Sequence, residues 1–375
     1  SLISTGNTYR MQKAVKKAQA GEPVRIACLG GSITEGAGAS DVNKTCYAYK
    51  FYEMFKAKYG KDDGSNIQYC NAGMSGTPSS IGWVRYQREV ITELDGEEPD
   101  ILIVEFAVND ANDKTNGKAY ESIVRHALSQ DNEPAVMLLF SVFQSDIWNL
   151  QERFIPIGND YQLPMVSMKN AIKSKIEKRL LTTRTYWSQD GWHPVDFGHK
   201  LMADCLMNCV DQAVNAAQAE AVAIPEEATI GKEYDTLEPI FKGSMPADVV
   251  VNAGGFSEND TTAGTFNYTK KNKFPSNWKH SATSGATEFS MDVTCKNMLM
   301  IFKYSSDKKL AGKADVYVDG ENKATCDSYN SGAWNNPWCI EVFNETTAKK
   351  HKITVKMAAG SEAKEFTIFG FGASK

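Results

Sequence analysis

The sequence predicts two domains, an α/β domain with a parallel sheet followed by an antiparallel β-sandwich. Strand-like apolar runs alternate with helical patterns up to about Ala217, and short alternating strand patterns with frequent turns follow from about Pro246. Composition changes in the same region, since all eight arginines lie at or before Arg184 and only three leucines follow Glu226. Arg and Leu favour helices, whereas β-branched and aromatic residues favour strands.

Five candidate strands and six candidate helices alternate in the first domain. The strands are Val24–Leu29, Ile67–Asn71, Ile101–Phe106, Ala135–Phe140 and Leu163–Val166. The helices are Tyr9–Ala20, Tyr47–Tyr59, Ile81–Leu94, Ala119–Gln130, Met168–Leu180 and Phe197 to about Ala217. This alternation is typical of βαβ units, which form a parallel sheet with helices on both faces. Such a sheet places its chemistry in the loops after the carboxyl ends of its strands.

The predicted domain boundaries follow from these patterns. Residues 1–222 form the α/β domain, residues 223–245 a linker, and residues 246–375 the β-sandwich. Asp319-Gly320, directly after a strand pattern, is a hairpin signal. The strand patterns of the second domain are 289–293, 298–302, 314–318, 352–356 and 366–369.

Charge, hydropathy and cysteine content indicate which binding partners the protein is not expected to have and in which cellular compartment it is expected. A net charge of −5 argues against nucleic acid and anionic membranes, which require clustered Lys and Arg. No apolar run approaches the roughly 18–20 residues of a membrane span. Eight cysteines without a Cys-x-x-Cys pair predict buried free thiols and a reducing, cytoplasmic compartment. Secretion is the alternative if a signal peptide has been removed.

The first predicted strand ends in Gly30-Gly31, and Ser32 follows directly. Two glycines allow a tight turn that leaves Ser32 at the edge of the sheet, where a helix can begin. There the serine is either a helix N-cap or a nucleophile. Nucleotide binding is not favoured, because Ala37 stands where a P-loop needs Lys and no Gly-x-Gly-x-x-Gly follows the strand.

Later loops supply groups that a nucleophilic serine needs. Gly76 follows the second strand, where a backbone N–H can approach a reacting carbonyl oxygen, and Asn109 follows the third, where its amide can do the same. Both positions also suit ordinary turns. Asp190 and His193 are three residues apart, which lets the carboxylate bind Nδ1 of the imidazole and leaves Nε2 to accept a serine proton.

Four short blocks resemble, in their order and loop context, those of the SGNH (GDSL-type) hydrolases. They are Gly31-Ser32, Gly76, Asn109 and Asp190-Gly191-Trp192-His193-Pro194. The resemblance extends from about Val24 to Val195, roughly half of the chain. It implies a flavodoxin-like three-layer α/β/α fold. It also implies carboxylic ester hydrolysis that requires no cofactor and no metal.

The resemblance assigns a role to each of these residues. It implies that Ser32 is the nucleophile, His193 the general base and acid, and Asp190 the residue that orients His193. The backbone N–H groups of Ser32 and Gly76, with the side chain of Asn109, would form the oxyanion hole.

The chain departs from the family pattern at two positions. Gly31 replaces the Asp of Gly-Asp-Ser-Leu, and Ala107 replaces the Gly of Gly-x-Asn-Asp. Neither change removes a reacting group. Both variants are similar to a bacterial subgroup with polysaccharide O-acetylesterases, which implies removal of acetyl groups from mannan- or xylan-derived oligosaccharides of the plant cell wall. The alternatives are a lipid or thioester acylhydrolase and a catalytically inactive glycan-binding protein.

Three tryptophans are candidate sugar contacts. Trp192, between Asp190 and His193, is either a wall on which a sugar ring stacks or a packing residue. Trp334 and Trp338 lie in a polar, Asn-rich stretch and either bind sugar or cap the sandwich. The β-domain resembles a carbohydrate-binding module. The expected partner is therefore an acetylated oligosaccharide, with no nucleic acid and no membrane.

Other charged residues near these blocks are predicted to be structural. Glu35 is expected to be a first-turn acid stabilised by the helix dipole. Asp110 is expected to bond turn amides, and His199 to lie on the last helix outside the triad. Arg85 and Arg88 are expected on a solvated helix face.

Overall fold

A computed structural model describes residues 1–262 and 272–375. The chain divides into two compact units, Ser1–Lys232 and Glu233–Lys375, here called the α/β unit and the β unit. Within the described ranges, no helix has the length and apolar character needed to cross a membrane.

The segment predicted as a linker divides between the two units. In the α/β unit, the buried carboxylate of Glu121 accepts three backbone N–H bonds, from residues 229, 230 and 231. Leu237–Ile240 is instead a strand of the β unit. The first part of this segment is therefore bound chain rather than free linker.

A six-stranded sheet forms the centre of the α/β unit. Its strands are β1 (Leu2–Ser4), β2 (Val24–Gly30), β3 (Ile67–Gly73), β4 (Ile101–Glu105), β5 (Ala135–Phe140) and β6 (Met165–Ser167). The spatial order is β1-β6-β5-β4-β2-β3, with β1 antiparallel at one edge and the other five strands parallel. The parallel strands have the flavodoxin-like order, which confirms the predicted fold class. Because strand order reverses between β2 and β4, a crevice opens at their carboxyl ends.

Helices cover both faces of this sheet. They are α1 (Tyr9–Ala20), α2 (Ser32–Glu35), α3 (Tyr47–Tyr59), α4 (Ser79–Val84), α5 (Lys118–Leu128), α6 (Gln151–Asp160), α7 (Met168–Glu177), α8 (Thr183–Tyr186) and α9 (Asp196–Asn215). Ile26 and Cys28 of β2 share a hydrophobic core with α1, α3, α7 and α9. Alternate residues such as Ala27 point to the opposite face, where α4, α5 and α6 pack.

Two helical regions differ from the sequence patterns. Helix α6 was not predicted because Pro156 and Gly158 weaken its pattern. Gly158 packs closely on β6, where an added Cβ would lie 2.2 Å from Sδ of Met165, so that side chain would have to move. The single helix predicted for Ile81–Leu94 is instead α4 followed by a π-helical turn, Gln87–Ile91, and a 3₁₀ turn.

The β unit is an antiparallel sheet folded over its own core. Its strands are β7 (Leu237–Ile240), β8 (Val250–Asn252), β9 (Trp278–His280), β10 (Phe289–Lys303), β11 (Lys313–Val318), β12 (Glu321–Asp327), β13 (Pro337–Met357) and β14 (Phe366–Ser374). Strand β10 pairs with β13 along its length, with β8 at its start and with β14 after an irregularity near Cys295. Apolar side chains from both halves of β10 share one core. Asp319 and Gly320, at φ 52° and 85°, form the predicted hairpin turn.

The eight cysteines are buried free thiols, as predicted. Cys28 lies within β2, and burial raises the pKa of its thiol well above the ordinary value. Burial likewise raises the pKa of Cys209 to about 12. These side chains therefore act as small core residues rather than as nucleophiles.

Close packing of α2 on β3 predicts a stability effect at Gly73. An added Cβ there would lie 2.0 Å from the backbone nitrogen of Glu35, so backbone must move. We expect Gly73→Ala to lower the free energy of unfolding by about 1–3 kcal/mol, measured by urea denaturation. Gly285→Ala is the control, because its Cβ would meet nothing within 4 Å. Equal stability of the two variants would contradict this packing.

Candidate active site

The carboxyl end of β2 presents Ser32 at the crevice. Ser32 is the first residue of α2, and the N-cap position belongs to Gly31. Its Oγ lies 3.0 Å from Nε2 of His193, which is 161 residues later in the chain. The serine hydroxyl is therefore paired with an imidazole rather than used as a helix cap.

The imidazole is held from its other side by a carboxylate. Nδ1 of His193 lies 2.6 Å from Oδ2 of Asp190, in the loop before α9. The structure thus brings the three predicted triad residues into one hydrogen-bonded chain. An ionised Asp190 accepts a hydrogen bond from the Nδ1–H group, so the proton stays on Nδ1 and Nε2 is left as the acceptor facing Ser32.

Asp190 is kept ionised by the loop around it. Its Oδ1 accepts the backbone N–H groups of Trp192 (2.8 Å) and His193 (3.0 Å) and the hydroxyl of Ser188 (2.6 Å). Partial burial raises the pKa of Asp190, but these hydrogen bonds outweigh burial and lower the pKa to about 2. Ser188 was not predicted, although a hydroxyl residue two positions before the acid is a usable signal.

Three N–H donors near the serine have no acceptor among the described residues. They are the backbone N–H groups of Ser32 and Gly76 and the side-chain amide of Asn109. The Oδ1 atom of Asn109 is buried without a partner in the same ranges. Asn109 lies close against Gly31, where an added Cβ would be 2.2 Å from Oδ1. The donor set predicted for the oxyanion hole is thus free to bind an acceptor.

A buried network lies directly behind the serine turn. Oε2 of Glu105 accepts the hydroxyl of Thr34 (2.8 Å), and Oε1 accepts the hydroxyl of Ser141. Oγ1 of Thr34 also lies 2.7 Å from the hydroxyl of Tyr47. Burial raises the pKa of Glu105 to about 7, although the two hydroxyls oppose that rise. Glu105 therefore holds the turn through Thr34, two residues after Ser32.

His199 and Asp110 have the structural roles expected of them. His199 accepts the backbone N–H of Tyr47 at Nδ1 (3.2 Å), and its Nε2 lies 3.0 Å from the carbonyl of Ala37. Burial lowers the pKa of His199 to about 4. Asp110 accepts the N–H (2.8 Å) and hydroxyl (2.6 Å) of Ser79. In residues 1–262 and 272–375, no group of three His, Cys, Asp or Glu side chains is placed to hold a metal ion.

The prediction that Arg85 lies on a solvated helix face is wrong. Its side chain is fully buried and donates to the carbonyl oxygens of Ala72 (2.6 Å) and Gly30 (3.0 Å). It also pairs with Glu89 at 3.0 Å, which offsets the cost of burying the charge. Arg88 is partly exposed and contacts the same carboxylate. Arg85 thus links the last residues of β2 and β3.

The three candidate sugar-binding tryptophans have different environments. Trp192 is 56 % exposed in the loop that holds the imidazole, and Trp334 is 40 % exposed in the β unit. Trp338 instead stacks on Tyr304, with ring centroids 5.0 Å apart, and packs against the core. Trp192 and Trp334 are therefore partly accessible to solvent, whereas Trp338 is a packing residue, and sugar binding by all three stays a prediction.

Comparison with known proteins relates the α/β unit to a hydrolase family. Residues 28–201 match the model of the GDSL-like lipase/acylhydrolase family. Two crystal structures of a two-domain esterase active on acetylated mannans, one co-crystallised with mannopentaose, are each 27 % identical to this chain. Each comparison has a TM-score of 0.84 and covers 100 % of this chain and 97 % of that chain.

A family 3 carbohydrate esterase from Clostridium thermocellum is 16 % identical, with a TM-score of 0.40, and covers 51 % of this chain and 98 % of that chain. No curated protein sequence matches the chain. The family match and the two-domain structures confirm the predicted family resemblance and the predicted fold class.

The free amide of Asn109 predicts a loss of rate when it is removed. We expect Asn109→Ala to lower kcat for p-nitrophenyl acetate by about 10²–10³-fold, with little change in KM, because the donor acts mainly on the transition state. Asn132→Ala is the control, since Asn132 only bonds the backbone carbonyls of Glu98 and Pro99. A kcat close to that of the parent enzyme would remove Asn109 from the oxyanion hole.

Burial of Glu105 predicts a pH-dependent stability. Its pKa is about 7 in the folded chain against an ordinary 4.5, so the unfolded chain loses this proton first. The stability from neutral Glu105 is complete below about pH 4.5 and is lost as the pH rises through about 7. As the pH rises between these limits, the free energy of unfolding of Glu105→Gln is expected to increase relative to that of the parent by up to about 3 kcal/mol. Urea denaturation at each pH measures this difference. A difference that is constant with pH would contradict a neutral buried carboxyl.

Proposed function

Since the α/β unit is a domain of the GDSL-like lipase/acylhydrolase family, we propose that this chain is a serine esterase that removes O-acetyl groups from plant cell-wall oligosaccharides. The observation that carries the proposal is the hydrogen-bonded chain of Ser32, His193 and Asp190, beside three N–H donors that have no acceptor in the part of the chain that the structure describes. Mannan-derived oligosaccharides are the first candidates and xylan-derived ones the second. The likeness of both units to an esterase active on acetylated mannans supports this order.

The geometry suits attack by Ser32 on the ester carbonyl. As Oγ bonds to the carbonyl carbon, Nε2 of His193, at 3.0 Å, accepts its proton. The carboxylate of Asp190 stabilises the imidazolium that forms. The carbonyl oxygen becomes negative and accepts hydrogen bonds from the backbone N–H groups of Ser32 and Gly76 and from the side-chain amide of Asn109.

The acetyl group then passes from serine to water. The imidazolium of His193 donates its proton to the sugar oxygen, and the carbon–oxygen bond to the sugar breaks. His193 next removes a proton from water as the water oxygen bonds to the acetyl carbon. The imidazolium then returns this proton to Oγ as the bond between Oγ and the acetyl carbon breaks, which restores Ser32 and releases acetic acid, which ionises to acetate. Asp190, with a pKa of about 2, stays ionised throughout at neutral pH.

Exposed aromatic faces support a sugar substrate. Trp192 is adjacent in sequence to His193 and largely exposed, which suits stacking on the C–H face of a sugar ring. In the β unit, Trp334 offers a second exposed ring beside Asn335 and Asn336, and we propose that this unit is a carbohydrate-binding module. The eight free thiols support a reducing compartment as the site of the reaction.

Mass spectrometry of acetylated oligosaccharides tests the reaction and the substrate together. We expect the parent enzyme to remove acetyl groups from manno- or xylo-oligosaccharides, and Ser32→Ala, which keeps the fold but lacks the hydroxyl, to leave them intact. Near-normal turnover by Ser32→Ala would refute the nucleophile assignment. A series of p-nitrophenyl esters tests the acyl preference, and faster cleavage of octanoate than of acetate would favour a lipid acylhydrolase instead.

A further inference from the structure

A buried carboxylate joins the serine turn to the loop that carries Gly76. Glu35 ends α2, three residues after Ser32, and is 0 % exposed. Its Oε2 accepts the backbone N–H of Ser75 at 2.9 Å and also the hydroxyl of Ser75. Because Gly76 follows Ser75 directly, this contact restrains the residue from which the Gly76 N–H group extends.

Helix α2 is itself fixed against β3. Gly73, at the end of β3, lies so close to the backbone of Glu35 that a Cβ would be 2.0 Å from its nitrogen. The side-chain amide of Asn71 donates to the carbonyl of Thr34 at 2.8 Å. The carboxylate of Glu35 is therefore attached to a rigid element, while Gly76 is itself exposed, at φ 70°, between the buried residues Ser75 and Thr77.

Arg85 makes a second connection between the same two chain segments. It joins the carbonyl oxygens of Gly30 and Ala72 at the strand ends, whereas Glu35 joins the segments beyond those ends. Ser32 lies between the two connected residues of its segment, Gly30 and Glu35, and Gly76 directly follows Ser75, the second connected residue of the other segment. Arg85 restrains the strands, and Glu35 restrains the loop.

We propose that Glu35 is a positioning residue that sets the separation of the two backbone donors of the oxyanion hole, the N–H groups of Ser32 and Gly76. The inference rests on the proposed function, because it concerns the transition state of ester cleavage. Donors must lie about 2.7–3.1 Å from the developing oxyanion, and a misplacement of about 1 Å can cost roughly 10²-fold in rate. A buried carboxylate that holds Ser75 by two hydrogen bonds supplies that restraint without touching the substrate.

Three variants separate the parts of this contact. We expect Glu35→Ala to lower kcat for p-nitrophenyl acetate by about 10–100-fold, with KM changed less than about threefold. Glu35→Gln is expected to retain most of the activity, because its amide oxygen can still accept from Ser75. Ser75→Ala keeps the hydrogen bond from the backbone N–H of residue 75 to Glu35 and loses the one from the hydroxyl. Its decrease in kcat is therefore expected to lie between the decreases in the two Glu35 variants.

A fluorophosphonate probe gives a readout that a merely structural role would not change. Its phosphoryl oxygen occupies the oxyanion hole when Ser32 is labelled, so the labelling rate should fall by the same factor as kcat. The control is Glu121→Ala, which removes a carboxylate that is equally buried but bonds residues 229–231 instead. This control is expected to lower Tm without lowering kcat or the labelling rate.

Each outcome decides the proposal. A folded Glu35→Ala with kcat and labelling close to the parent would overturn it, and so would losses of rate that Glu121→Ala reproduces. If Glu35→Ala does not fold, Ser75→Ala decides, and a parent-like kcat and labelling rate in this variant would overturn it. The tests use a simple ester and a probe for Ser32, so failure of the parent on acetylated oligosaccharides would count against the substrate proposal alone.

Discussion

The hydrogen bond between Nε2 of His193 and Oγ of Ser32 is the contact on which the other features of this site depend. It joins residues 161 positions apart, so neither chain segment can secure it alone. The serine is placed by the carboxyl end of β2, and the imidazole by a loop in which the N–H groups of Trp192 and His193 converge on Asp190. An N–H···O or O–H···N contact tolerates only a few tenths of an ångström, which requires both supports to be rigid.

That rigidity comes from charged and polar groups buried at the carboxyl edge of the sheet. Arg85 links the ends of β2 and β3, Glu35 links α2 to Ser75, and Glu105 links Thr34 to Ser141. Burying such groups is unfavourable unless each has partners, and each has them here. The arrangement gains specificity of position rather than stability, because apolar packing could fill the same volume but could not orient a backbone N–H.

The glycines at the serine turn are required by close approach. Neither Gly30 nor Gly31 has a positive φ, so the tight-turn explanation drawn from the sequence does not apply to them. A Cβ on Gly30 would lie 2.1 Å from Oγ1 of Thr34, and one on Gly31 would lie 2.2 Å from Oδ1 of Asn109. Gly31, which stands at the position of the Asp in the Gly-Asp-Ser-Leu pattern, thus leaves room for the side chain of Asn109.

Local sequence was sufficient for the fold class, most strands and helices, and the identity of the residues at the edge of the sheet. Periodicity carries that information because strands and helices repeat every two and 3.6 residues, and the spacing of Asp190 and His193 is itself local. Glu35, Ser75 and Arg85 gave no such signal, and Arg85 was placed on the wrong face. Their partners are distant in the chain or are backbone atoms, and a backbone group is not marked by any residue type in the sequence. Only the tertiary structure could decide which charges are buried and what they hold, since burial depends on packing between segments that the sequence does not order.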